Sequence, residues 1–180
     1  MRITKENSTG LIIDIQERLY PAMAEKERFL KNSKILVEGL KELQIPTVFT
    51  QQYSKGLGET LEEVSKLIEP FSFIEKTSFS CYDADEYAGF LSANQYKNII
   101  ICGIEAHVCV LQTAVDLKDA GYNPIVVADC ISSRDLTNKA IALERFRHEG
   151  IMVTSAESVL FELTRSAKDT AFKAISKIVK

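Results

Sequence analysis

The chain has 180 residues, 46% of them hydrophobic and 26% charged, with 22 basic against 25 acidic side chains and a net charge of −3. This is enough apolar material for one packed core, so a single domain over residues 1–180 is expected. The lack of positive excess sets aside nucleic acid and anionic membrane as partners, and no apolar run approaches the roughly 20 residues of a membrane span. The opening residues Met1 to Ser8 are polar and lack the apolar core of a secretory signal, and Cys81, Cys102, Cys109 and Cys130 show no CxxC spacing. A cytosolic protein with reduced thiols is expected.

In chain order, Leu11-Ile12-Ile13-Asp14-Ile15 reads as a buried strand interrupted by one carboxylate. A carboxylate there is costly to desolvate unless a cation or donors meet it, so Asp14 is either a functional acid or a turn cap. Residues 25–43 carry Phe29, Leu30, Ile35, Leu36, Leu40 and Leu43 on one helical face, and Thr47 to Thr50 is a short β-branched strand. The polar loop from Gln51 to Gly58 follows, at an edge where substrates bind. Its Gly56-Leu57-Gly58 lacks the third glycine of a phosphate-cradling loop. A short helix over 61–68 precedes a third strand over 71–79, which Lys76 closes. That lysine is either a solvated charge or a site residue.

A helix over 83–94 leads to Ile99-Ile100-Ile101-Cys102-Gly103, a fully buried strand that runs into a helix starting near His107. Cys109 therefore lies in the first turn of a helix, where the positive end of the dipole favours a thiolate, although a free cysteine is also a common core residue. Glycine and proline at Gly121 and Pro124 end that helix. Strand five is expected over 125–128, a loop over 129–134, a helix over 137–148 and a sixth strand over 151–153. The remaining residues are mostly helical, and His148 is a C-terminal helix cation. Six strands separated by helices predict an α/β fold, a three-layer α/β/α sandwich around a six-stranded parallel sheet. Asp14, Lys76 and Cys109 then share one rim at the carboxyl ends of the strands, where such sheets bind ligands.

In Leu11 to Gln16, Glu75 to Ser80 and Gly103 to Val110, and over nearly its whole length, the chain resembles the isochorismatase-like cysteine hydrolases. The loops 52–58 and 129–133 look most like the isochorismatase domain-containing and YcaC-related members, whose substrates are poorly defined. The resemblance implies a triad in which Asp14 is the general base, Lys76 the cation that lowers the thiol pKa, and Cys109 the nucleophile. It also implies a cis peptide between Ile104 and Glu105 that aims the amides of Glu105 and Cys109 at a developing oxyanion. Gln16, Gln52, Tyr53 and His107 are candidate substrate-pocket residues.

Two departures narrow the activity. Nicotinamidases hold a metal after strand two with aspartate and histidines, whereas this chain reads Thr50-Gln51-Gln52-Tyr53 there, and His107 and His148 are not spaced as ligands. Isochorismatases proper lack the nucleophilic cysteine. The expectation is a hydrolase of a small amide or related C–N bond, without metal or cofactor, acting on a small molecule. The alternatives are a nucleotide- or phospho-ligand-binding doubly wound domain and a non-catalytic scaffold. A homo-oligomer is expected, because Phe172, Ile175 and Ile178 give the C-terminal segment its own apolar stripe.

Overall fold

Apolar residues on both faces of consecutive strands require helices above and below the sheet, and this sets the architecture of the computed structural model, which describes residues 2–180. The strands are β1 (Ser8–Ile13), β2 (Thr47–Gln52), β3 (Ile74–Lys76), β4 (Asn98–Ile104), β5 (Asn123–Ser132) and β6 (Met152–Thr154). All neighbours are parallel, in the order β3-β2-β1-β4-β5-β6. The helices are α1 (Lys26–Glu42), α2 (Ser54–Leu57), α3 (Glu62–Ser65), α4 (Asp85–Ala93), α5 (Leu111–Asp119), α6 (Leu136–His148), α7 (Ala156–Thr164) and α8 (Phe172–Ile178).

Alternate residues of each central strand feed opposite cores. Ile12, Ile100 and Val127 pack with Leu36, Leu40 and Leu160 beneath α1 and α7, while Leu11, Ile13, Ile101 and Val126 pack with Tyr87, Leu117 and Phe146 beneath α4, α5 and α6. This is the expected three-layer sandwich.

Four local readings change. Strand β1 begins at Ser8 because its polar groups find partners, Ser8 Oγ donating to Thr4 O and Thr9 Oγ1 to Pro46 O at 2.8 Å. It ends at Ile13, which leaves Asp14 just beyond it in a left-handed conformation, φ 52°. Strand β3 shrinks to Ile74–Lys76, with Lys76 as its last residue. Strand β5 absorbs most of the expected loop: Ser132 Oγ donates to Ala24 O at 2.7 Å and Asp129 Oδ1 accepts from Ala156 N–H at 2.9 Å, so these polar residues sit in the strand with their hydrogen bonds met. The extra length is taken up where the β4–β5 register shifts between Ile101 and Gly103.

The C-terminal stripe is also accounted for within the chain. Ile175 is fully buried and Ile178 packs on the core beneath α1, so this stripe is no longer an argument for a second copy. No helix among the described residues is long and apolar enough to cross a membrane.

Candidate active site

From β1 the chain winds outward through β2 to β3, and from β4 it winds the other way through β5 to β6. The reversal opens a crevice at the carboxyl ends of β1 and β4. Asp14 follows β1, Cys109 follows β4, and Lys76 reaches in from the end of β3. The two central strands close tightly at this point. Gly103 pairs with Ile13 at φ +133°, and a Cβ there would stand 2.1 Å from Ile13 O, so only glycine allows the approach.

The acid and the lysine form a buried ion pair, Lys76 Nζ to Asp14 Oδ2 at 2.7 Å, with both side chains shut off from solvent. The other carboxylate oxygen accepts from Thr50 Oγ1 at 2.7 Å. Lys76 also donates to Gln52 Oε1 at 2.7 Å and faces the carbonyls of Ser78 and Phe79 at 3.2 and 3.4 Å. Burial pulls the lysine pKa down, but the charge of Asp14 and its hydrogen bond oppose this, and the pKa is raised. The ammonium is therefore held charged in the interior.

Cys109 lies in a π-helical turn, Ala106–Val110, that leads directly into α5. That turn hangs on the carbonyl of Glu105, which accepts from Val108 N–H and Val110 N–H at 3.1 and 3.2 Å. Cys109 is 7% exposed, whereas Cys81, Cys102 and Cys130 are each 0% exposed. Its environment differs from the one expected. Burial first, and then the charge of Asp14, push the thiol up to about 12, and Lys76 opposes this without winning. The ammonium is matched to Asp14 rather than to the sulfur, so the resting form is the thiol and not the thiolate.

The remaining predicted residues divide. The Ile104–Glu105 peptide is cis. The Glu105 carboxylate accepts from Arg134 N–H at 2.9 Å and from Arg134 Nε at 3.2 Å. His107 belongs to the same turn as Cys109, its Nδ1 paired with Ser133 Oγ at 2.9 Å. Tyr53 is exposed at the rim, and its backbone N–H donates to Lys76 O at 2.9 Å.

Gln16 is tied up within the chain. It is fully buried, its Nε2 donates to Gly58 O and Gln52 O at 2.7 and 3.1 Å, and its Oε1 accepts from Gln52 N–H at 2.8 Å, which makes it a clamp between chain segments. The amide of Gln52 is likewise committed, to Lys76 and to Thr77 O at 2.8 Å.

Two neighbours escape the sequence reading. Thr50 looks like an ordinary strand residue, and only the register that pairs it with Ile13 brings it beside Asp14. Cys81, in the loop between β3 and α4, is buried against Thr50, with its backbone N–H donating to Thr113 Oγ1 at 2.9 Å and its thiol pushed up to about 12 by burial.

Among the described residues, no three His, Cys, Asp or Glu side chains cluster as metal ligands. A cavity of about 230 Å³ lined by Glu25, Arg28, Asp129, Ser132, Lys139 and Leu143 contains none of the three rim residues. The candidate site is taken at the juxtaposition of acid, lysine and thiol.

The fold and this cluster define a doubly wound α/β domain with a thiol, a carboxylate and an ammonium at its switch point. The chain belongs to the isochorismatase family, whose domain model matches residues 8–158. It is 38% identical to a secreted isochorismatase effector of Phytophthora sojae (strain P6497), over 99% of this chain and 87% of that protein. A structure described as MAR1 ribonuclease from Caenorhabditis elegans superposes with a TM-score of 0.94 at 33% identity, covering 99% of this chain and 92% of the other. The YcaC gene product of Escherichia coli, described as an octameric hydrolase of unknown specificity, shares the fold with a TM-score of 0.93 at 22% identity, over 98% and 88% of the two chains. The protein is thus a member of the isochorismatase-like hydrolase family, with the fold expected from its sequence.

Proposed function

We propose that the protein is a metal-independent cysteine hydrolase that cleaves a small amide or related C–N bond through an acyl-enzyme. The observation that carries the reading is the buried Asp14–Lys76 pair beside the one cysteine that is not fully enclosed. Because the Cys109 thiol is pushed up to about 12, attack requires a base in the site rather than a standing thiolate. Asp14 takes the proton as Cys109 Sγ bonds to the substrate carbonyl carbon. The C–N bond then breaks, and the proton passes from Asp14 to the leaving nitrogen. A water molecule deprotonated by Asp14 hydrolyses the thioester and restores the thiol.

Lys76 serves by pairing its ammonium with Asp14 Oδ2 at 2.7 Å, and the amides of Glu105 and Cys109 are the assigned oxyanion donors. Independence from metal is supported by the side chains at the end of β2, where Thr50 and Gln52 are committed to Asp14 and Lys76.

Release of ammonia or amine from a panel of small amides, with a matching acyl adduct on Cys109 by mass spectrometry, tests the reading. The expected result is turnover that Cys109→Ala abolishes in a folded protein. Given the resemblance to the nematode protein described as a ribonuclease, RNA belongs in the same assay; RNA cleavage in place of amide turnover would overturn the proposal, which the net charge of −3 supports.

We also assign the protein to the cytosol, consistent with four free cysteines, and to a homo-oligomer. Exposed Tyr53, Phe73, Phe79, Leu136 and Ile141 support the latter, and a 20.2 kDa species by light scattering would refute it.

A further inference from the structure

We propose that β2 supplies the positioning residues of this site, Thr50 fixing the carboxylate of Asp14 and Gln52 fixing the ammonium of Lys76. The two lie two positions apart on one strand and therefore project to the same side. The inference rests on the reading of Asp14 as base and Cys109 as nucleophile.

The hydrogen-bond inventory gives each residue a direction of action. An ammonium has three protons, and Lys76 faces four acceptors, Asp14 Oδ2, Gln52 Oε1 and the carbonyls of Ser78 and Phe79. No proton is left over for the thiol or for substrate, so Lys76 acts through Asp14, and Gln52 determines where its charge sits. Thr50 has one hydroxyl proton, which goes to Asp14 Oδ1 at 2.7 Å, since a carboxylate only accepts. The hydroxyl oxygen then faces Cys81 Sγ at 3.8 Å as acceptor, so Cys81 is the donor in that contact. Thr113 in turn anchors the Cys81 backbone.

Thr50 also holds the Asp14 main chain, its carbonyl accepting Asp14 N–H at 3.3 Å. With one donor on each oxygen, the carboxylate cannot rotate, and its remaining lone pairs keep one fixed direction. Cys81, a buried thiol outside the reaction, thereby acquires a role at the far end of a chain that ends on the base. These are positioning residues, Thr50 acting through Asp14 and Gln52 through Lys76.

The test uses p-nitrophenyl acetate as a generic acyl donor. Cys109 Sγ bonds to its carbonyl carbon, the C–O bond breaks to release p-nitrophenolate, and the thiol proton passes to Asp14. The burst is read for the wild-type protein, Thr50→Val, Thr50→Ala, Thr50→Ser, Gln52→Leu and Cys109→Ala, with urea midpoints to establish folding. Loss of one hydrogen bond to a buried charge is expected to slow the burst of Thr50→Val and Thr50→Ala roughly 10- to 100-fold, with half-saturation changed by less than about twofold. Thr50→Ser should recover to within about threefold, and Gln52→Leu should slow the burst roughly tenfold.

If Thr50→Val fails to fold, the Thr50→Ala and Thr50→Ser pair decides. Folded Thr50 variants with a wild-type burst, or a Thr50→Ser protein as slow as Thr50→Ala, would overturn the inference while leaving the hydrolase reading intact. A burst that survives in Cys109→Ala, or none in the wild-type protein, would overturn the hydrolase reading and this inference with it.

Discussion

Replacing Lys76 by methionine keeps most of the side-chain volume and removes the charge. In the native protein Asp14 and Lys76 meet at 2.7 Å with neither side chain exposed, so the variant leaves a carboxylate in the interior with Thr50 as its one side-chain donor. Breaking a buried pair from one side costs about 3–5 kcal/mol, against less than about 1 kcal/mol for an exposed pair. A domain of this kind has about 5–15 kcal/mol in total, so the loss is large but measurable. At an m-value of about 2 kcal/mol/M, the urea midpoint should fall by about 1.5–2.5 M.

The double variant Asp14→Asn, Lys76→Met removes the orphaned charge and should be more stable than Lys76→Met alone, because an amide in place of the carboxylate can still accept from Thr50. Equilibrium urea unfolding followed by circular dichroism measures both. A loss below about 1 kcal/mol, or a double variant no better than the single, would refute the claim that the pair is a buried and mutually dependent unit.

Two other expectations follow from the same geometry. Gly103→Ala should prevent folding or destabilise by more than about 3 kcal/mol, because its Cβ would meet Ile13 O at 2.1 Å with φ at +133°; a thermal shift within a few degrees of wild type would contradict this. Iodoacetamide should label Cys109 ahead of the three fully buried cysteines in the native protein. Its rate should keep rising about tenfold per pH unit without a plateau up to about pH 11, since the thiol is pushed up to about 12; a plateau near pH 9 would show the thiol to be unperturbed. A thiol pKa raised on folding contributes stability that is fully present below the unfolded value of 9.0 and is lost as pH rises towards about 12, for Cys81 as for Cys109.

The sequence by itself determined the sheet and the three rim residues. Continuous apolar runs such as Ile99-Ile100-Ile101 require cover on both faces, and parallel neighbours require crossovers, so the sandwich and the placement of Asp14, Lys76 and Cys109 at strand ends follow from local pattern. The sequence could not give the partners of those residues. Thr50 reaches Asp14 through the β1–β2 register, Gln52 turns its amide oxygen to Lys76, and Cys81 is buried from within the loop between β3 and α4.

The thiol shows the limit most clearly. A helix start and a neighbouring lysine both argue locally for a thiolate, yet tertiary packing buries the sulfur and gives the ammonium to Asp14, which reverses the sign of the shift. Periodicity is a property of a segment and can be read along the chain. Desolvation and the choice of ion-pair partner depend on which segments meet, and only the assembled sheet decides that.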